Sequence, residues 1–226
     1  MTINVVEKID DLVKVKHVLV SVSDKSGLDG FIPRLLEINP GVRIFSTGGT
    51  YGRIKEILGS KAANCLVQVS DYTGQPETQG GLVKTLDFKI YLGLLTETYN
   101  DAHQADLERT TSVPIDMVIV NLYPFKETIS KPEVTVEQAR GNIDIGGPCM
   151  IRASAKNFIR VASVVDPSDY ETILSELQAN NGAITLELRY NLARKAFAHT
   201  AVYDRTIADF LTARNYEEVK TSYVGM

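Results

Sequence analysis

The sequence predicts an α/β fold: a mainly parallel sheet with helices on both faces, followed by a helical C-terminal extension. Three observations carry this. Apolar, β-branched runs of strand length recur up to Val165. Helical patterns lie between them, and such alternation favours parallel pairing through right-handed crossovers. After Val165 the strand signal stops, and Thr185 caps a long helix with Leu186, Leu188, Leu192, Ala193, Ala196 and Phe197 on its apolar side. The 226 residues read as one domain: a core over about 15–165, an α-rich extension over about 166–214 and a polar, frayed tail over 215–226.

Composition bounds the partners. With 44% hydrophobic and 23% charged residues the chain is an ordinary globular one. A net charge of −4 disfavours broad nucleic-acid binding, which needs a basic surface. No apolar run reaches the roughly 18 residues of a membrane span. The start, MTINVVEKIDD, lacks a basic-then-apolar leader, so a cytoplasmic protein is expected. Cys65 and Cys149 have no CxxC partner and read as reduced core thiols. His17, His103 and His199 show no metal-ligand spacing, so no metal is expected.

The first strand, His17–Val22, is apolar enough to be buried. It runs into Ser21-Val22-Ser23-Asp24-Lys25-Ser26-Gly27, ahead of a helical pattern at Leu28, Phe31, Ile32, Leu35 and Leu36. Ligands of open α/β sheets bind at the carboxyl ends of strands. A helix start there offers free N–H groups and a positive dipole end to an anion. Asp24 or Ser26 also suits a plain N-cap. The second strand, Val42–Phe45, leads to Ser46-Thr47-Gly48-Gly49-Thr50 and a helix over Tyr51–Leu58. Glycines let main-chain amides converge on an oxyanion, and hydroxyls add donors. Two such turns favour one shared phosphate site. Neither is a Walker A or GxGxxG run, which disfavours a triphosphate or a dinucleotide.

Cys65–Val69 reads as a third strand, and Ser70–Gly81 as an exposed functional loop. Lys84-Thr85 is a further candidate anion-donor pair. Ile90–Leu95 is apolar enough for a strand, and 97–110 is polar helix and loop. Met117–Leu122 is the clearest buried strand, with Asn121 and Tyr123 at its carboxyl end. Thr135 caps a short helix to Arg140. Then comes NIDIGGPCMIRASAKN, Asn142–Asn157. Asp144 sits between two isoleucines, where a carboxylate is costly unless paired. Gly146-Gly147 lets the backbone approach a neighbour, and Pro148 suits the first helical position. Cys149, Arg152 and Lys156 share one helix face, either aimed at an anion or simply solvated. Val161–Val165 is the last strand of the core, and Pro167 opens a helix to about Gln178.

Taken together, SVSDKSG, STGGT, SDYTG with Pro76-Glu77, GLVKTL, IDMVIVNLYPF, NIDIGGPCMIRASAKN and KAFAHTAVYD form an ordered set from about His17 to Leu211. The set resembles the inosine monophosphate cyclohydrolase domain of the bifunctional purine-biosynthesis enzyme that also carries a transformylase. The resemblance implies a methylglyoxal-synthase-like fold. It implies closure of the purine ring of 5-formamidoimidazole-4-carboxamide ribotide to inosine monophosphate and water, with no metal or organic cofactor. It implies substrate or phosphate contacts at Ser21, Ser23, Lys25, Ser26, Ser46, Gly48, Gly49, Thr50, Thr85, Asn121, Ile145 and Gly146. It implies catalytic roles for Lys84, Tyr123, Asp144 and Lys156. Lys84 and Tyr123 are candidate donors to the developing oxyanion. Asp144 and Lys156 are a candidate proton-transfer pair, with roles interchangeable with that of Lys84. The two lie twelve positions apart and meet only if their helix crosses the site. A separate formyltransferase would supply the substrate, no nucleic acid or membrane is implied, and a homodimer is allowed.

The chain departs from the family run GRVKTLHPKVH. Leu82 stands for an arginine, Phe88 for a proline, and Asp87 and Tyr91 for histidines. The missing arginine removes a planar, always-charged anion ligand, and Arg53 or Arg152 is expected to cover part of the loss. The chain ends where the transformylase half would begin, so a stand-alone cyclohydrolase is expected. Two other classes stay open: a catalytically lapsed phosphate- or nucleotide-binding module on the same fold, and methylglyoxal synthesis from a triose phosphate. The C-terminal segment from Val161 on, with KAFAHTAVYD, favours ring closure over the latter.

Overall fold

The computed structural model describes residues 5–76, Thr78 and 83–224. Its elements run β1 (Val13–Lys14), β2 (His17–Val22), α1 (Leu28–Ile38), β3 (Arg43–Ser46), α2 (Gly48–Leu58), α3 (Ala62–Cys65), β4 (Leu66–Gln68), α4 (Val69–Thr73), α5 (Phe88–Leu95), α6 (Asp101–Arg109), β5 (Met117–Asn121), α7 (Phe125–Ile129), α8 (Val136–Gly141), α9 (Gly146–Lys156), β6 (Ala162–Val164), α10 (Tyr170–Ala179), β7 (Ala183–Ile184), α11 (Leu186–Thr212) and α12 (Tyr216–Thr221).

Five strands pair in parallel in the order β4-β3-β2-β5-β6. Strand side chains alternate between the two faces, and both faces are buried. Val18, Val20, Ile44, Met117, Ile119 and Val164 pack against α1, α2 and α10. Leu19, Phe45, Val118 and Val120 pack against α5, α9 and α11. Beginning at β2, the chain first winds outward through β3 and β4, then returns to β5 on the other side of β2. That reversal opens a crevice at the carboxyl ends of β2 and β5, the usual ligand position in such sheets. A two-stranded antiparallel ribbon, β1 with β7, closes the amino-terminal segment onto the rest. Arg189, fully buried, donates to carbonyls of Asp10, Asp11, Phe158, Ile159 and Ile184 and ties the same pieces to α11.

Five expectations are corrected. The third strand is only Leu66–Gln68, since Cys65 ends α3 and Val69–Thr73 forms helix α4 where the exposed loop was expected to begin. Ile90–Leu95 is helix α5, not a strand: Asp87 caps it by accepting the Lys89 N–H, and Ile90, Gly93 and Leu94 are buried at helical spacing. A continuous apolar run does not by itself separate the two. The second strand is Arg43–Ser46, and α2 begins at Gly48 instead of Tyr51, so the glycine turn is the helix's own first turn. Pro148 is the third residue of α9, which starts at Gly146. The tail is not simply frayed: α12 forms behind an Asn215 cap, and the Tyr223 hydroxyl donates to Glu137 at 2.6 Å. Thr135 and Thr185 cap α8 and α11 as expected, Thr135 with a full capping box.

Candidate active site

One cavity of about 580 Å³ occupies the crevice, a size suited to a small-molecule ligand. Two helices point their amino termini at it. The first turn of α2 brings Gly48, Gly49 and Thr50 to the lining, and α9 brings Gly146 and Gly147. First-turn amides have no intrahelical acceptor, so each end is a donor cluster at a positive dipole terminus. The segment 83–86 bridges them. A Cβ on Gly48 would stand 3.1 Å from the Lys84 ammonium, and one on Gly146 would stand 2.8 Å from the Thr85 hydroxyl. Both glycines are therefore close-approach positions, and Gly48 also has φ +49°.

The α2 end is cationic. Lys84 rests there, and Lys25 donates to the Ser23 carbonyl at 3.2 Å with its stem beside Gly49. Ser21, Ser23 and Thr47 line this end as well, the Ser21 and Thr47 hydroxyls lying 3.4 Å apart. Thr50 spends its hydroxyl on β2, donating to the Val22 carbonyl at 3.0 Å and accepting the Val22 N–H at 3.1 Å. It thereby fixes α2 to the loop that carries Ser23 and Lys25.

The α9 end carries Asp144, Tyr123, Ile145 and Asn142. Asp144 Oδ1 accepts the Gly147 N–H at 2.9 Å, so the carboxylate caps α9 from one residue before its N-cap, Ile145. The Asp144 main-chain N–H donates to the Tyr203 hydroxyl of α11 at 2.7 Å. Burial pushes the Asp144 carboxyl above the usual carboxylate range, against the downward pull of the Gly147 and Tyr123 amides. Tyr123 and Ile145 are exposed, at 55% and 60%, and offer apolar surface at the mouth.

The structure thus brings Ser21, Ser23, Lys25, Gly48, Gly49, Thr50, Lys84, Thr85, Asn121, Tyr123, Asp144, Ile145 and Gly146 around one cavity. Three expected residues lie outside its lining. Ser46 is fully buried and donates to the Val20 carbonyl at 2.7 Å. Ser26 faces solvent and donates from both its N–H and its hydroxyl to Asp24. Lys156 is exposed at the far end of α9, whose axis leads away from Asp144, so the pair does not meet. Neither substitute cation reaches the cavity. Arg53 pairs with Asp29 at 2.7 Å and Glu56 at 3.2 Å, and Arg152 lies over the Phe197 ring. Leu82, where the family arginine is missing, lies outside the described residues, as does Glu77 of the Pro76-Glu77 motif. Thr47, Asn142 and Ile143 line the cavity without having been singled out; all three sit inside motifs already marked, STGGT and NIDIGG.

A parallel sheet whose switch-point crevice is faced by two helix amino termini and two lysines defines the class: an open α/β domain with a ligand-sized site at the carboxyl ends of its strands. Residues 30–149 match the MGS-like domain, and the chain belongs to that family. Residues 154–225 match the AICARFT/IMPCHase bienzyme. The bifunctional purine biosynthesis protein PurH of Bacillus mycoides is 48% identical over 203 residues, covering 90% of this chain and 38% of the relative. PurH of Neisseria meningitidis is 47% identical over 199 residues, covering 88% and 36%. The chain therefore spans a little over a third of the length of the curated relatives it matches. Among solved structures, the crystal structure of ForH superposes with a TM-score of 0.76 at 30% identity, covering 88% of this chain and 97% of that one. Among the described residues no helix is long and apolar enough to cross a membrane.

Proposed function

We propose that the chain closes the purine ring of 5-formamidoimidazole-4-carboxamide ribotide, yielding inosine monophosphate and water. One observation carries this reading: a single cavity joins a cationic, glycine-rich helix start at one end to a half-buried carboxylate at a second helix start. That polarity suits a ribotide, with its phosphate at one end and a neutral heterocycle at the other. The PurH relatives point the same way.

In this arrangement the α2 amides, Lys25 and Lys84 hold the phosphate. Lys84 serves that end because its ammonium rests on Gly48. The heterocycle lies toward Tyr123, Ile145 and Asp144. Held flat, the substrate has its carboxamide nitrogen against its own formyl carbon, and oriented intramolecular reactions reach effective molarities of order 10⁵ M or more. The C–N bond forms as the carboxamide nitrogen loses a proton to Asp144. The oxyanion develops facing Thr85, Tyr123 and the amides opening α9, where preorganised donors contribute roughly 3 kcal/mol each. The formyl oxygen then leaves as water, carrying one hydrogen from the carboxamide nitrogen and one from the formamido nitrogen. Asp144, its pKa raised by burial, returns a proton to that oxygen. No step is assigned to Lys156. A formyl-transferring enzyme must supply the substrate. The same reading implies a cytoplasmic protein and allows a homodimer, which sedimentation would register.

Incubating the protein with the formamido ribotide and following inosine monophosphate by absorbance tests the reading. Turnover is expected, with kcat reduced about 10²-fold or more in Asp144→Asn. Tight product binding without turnover in the unaltered protein would leave only a binding module. Methylglyoxal released from a triose phosphate would indicate the lyase instead.

A further inference from the structure

We propose that Tyr203 is a positioning residue for ring closure: it acts through Asp144 and makes α11 part of the catalytic apparatus. The proposal rests on the function just given. The segment 142–145 lies between α8 and α9 and has no ladder to hold it. Its central amide, that of Asp144, donates to the Tyr203 hydroxyl at 2.7 Å across 59 positions of sequence. Tyr203 is itself well fixed. It is 9% exposed, and its ring meets Phe125 edge-on at 6.2 Å, while Phe125 also meets Phe210 edge-on at 6.0 Å. Phe125 opens α7 directly after the Tyr123-Pro124 step, so one aromatic cluster supports both Tyr123 and Asp144.

Asp144 is therefore held through both its carboxylate and its main chain. The Gly147 and Tyr123 N–H groups hold the carboxylate, and the Tyr203 hydroxyl holds the main chain. Releasing the main chain would let the turn shift and carry the carboxylate with it. Tyr203 does not line the cavity, so it touches no substrate atom. Its residue lies beyond 30–149, the span matched to the MGS-like domain, and within 154–225, matched to the bienzyme. The helical extension thus anchors the main chain of a residue whose carboxylate is held by amides of the core.

The test is Tyr203→Phe, which keeps the ring and removes the acceptor. A displacement of about 1 Å is worth on the order of 10²-fold in rate, so kcat should fall roughly 10- to 100-fold while KM stays within about threefold. In an Asp144→Asn background the same change should cause no further loss, since non-additivity marks residues that act as a unit. Wild-type kcat in Tyr203→Phe, a loss that adds to that of Asp144→Asn, or a kcat loss matched by an equal rise in KM would each overturn the proposal. Amide hydrogen exchange at Asp144 reads the contact without turnover. Faster exchange there in a variant with an unchanged thermal midpoint supports the link, and unchanged protection sinks it. If the unaltered protein closes no ring, the functional reading fails, and the exchange measurement alone decides whether Tyr203 holds the turn.

Discussion

Asn121 shows how far a residue's type reveals its work. At the end of β5 it looks like a substrate ligand, and it does line the cavity. Its amide, though, is occupied by the loop after β2. Oδ1 accepts the N–H groups of Ser23 at 2.7 Å and Asp24 at 2.9 Å, and Nδ2 donates to the Asp24 carbonyl at 2.8 Å. The side chain is a latch that shapes the phosphate loop. Asn121→Asp keeps the acceptor, turns the donor against a carbonyl and adds a negative charge beside the anion. Product affinity should drop about 10-fold or more, since a hydrogen bond to a charged or buried group is worth ~1.5–3 kcal/mol; calorimetric titration with inosine monophosphate measures it. Asp144 gives a second residue-scale expectation. As a base it must be ionised, so kcat falls as pH drops through its pKa. Burial raises that pKa, so the acid limb of the profile should lie above the ordinary carboxylate value of about 3.9. A limb at or below that value would remove Asp144 from the role. Residue types near glycines were legible because hydroxyl, amide and cation chemistry is local. Ser46, Ser26 and Lys156 were not. Their side chains are claimed by Val20, by Asp24 and by solvent, and no spacing in one dimension records such competition.

At the scale of elements, the strands of the parallel sheet were readable, whereas the ribbon strands β1 and β7, the short helices α3, α4, α7 and α12, and helix α5 were not. β2 and β5 are apolar on both faces, and their neighbours agree. In α5 the run IYLGLL masks its period, because Leu92 and Tyr91 are half-buried between the inward Ile90, Gly93 and Leu94. Gly93 is what allows the helix to sit there. A Cβ would lie 2.5 Å from the Val113 carbonyl, a contact with backbone that no rotamer relieves. Just below, at the amino edge of the sheet, Asp116 joins three elements. It accepts the N–H groups of Lys16 at 2.8 Å and His17 at 2.9 Å, and it pairs with Arg160 at 3.0 Å, the two side chains being 8% and 6% exposed. Arg160 in turn donates to carbonyls of Thr96 and Gly93. Asp116→Ala should destabilise by about 3–5 kcal/mol, since it strands a buried cation and two amides. Denaturant unfolding would register this as a lower midpoint with the slope preserved. The loss should leave catalysis per folded molecule unchanged, because Asp116 lies at the opposite edge of the sheet from the cavity.

For the whole molecule, the decisive feature is the order in which strands join. β2 is flanked by β3 and β5, so the loops after all three rise around one crevice, and α9 enters it from the far side. Alternation of strands and helices predicted a parallel sheet, but not that order. Pairing is decided by which faces bury best together in three dimensions, and only the ordered motif set pointed to it. The arrangement gives the cavity two ends built from different stretches of chain, 21–25 and Asn121 with 47–50, and Tyr123 with 142–147. Binding and chemistry should therefore separate by mutation. At 100 times its dissociation constant, inosine monophosphate should stabilise the fold by about 2.7 kcal/mol, roughly 5–10 °C in midpoint for a chain of this size. Lys25→Ala should remove most of that shift, because it takes a cation from the phosphate end. Asp144→Asn should keep it while ring closure is lost, because the phosphate end is untouched. Thermal scans with and without the nucleotide, run beside the absorbance assay, give both readings on one sample. A Lys25→Ala protein that keeps the full shift would mean that the phosphate does not sit over α2, and the polarity assigned to the cavity would have to be reversed.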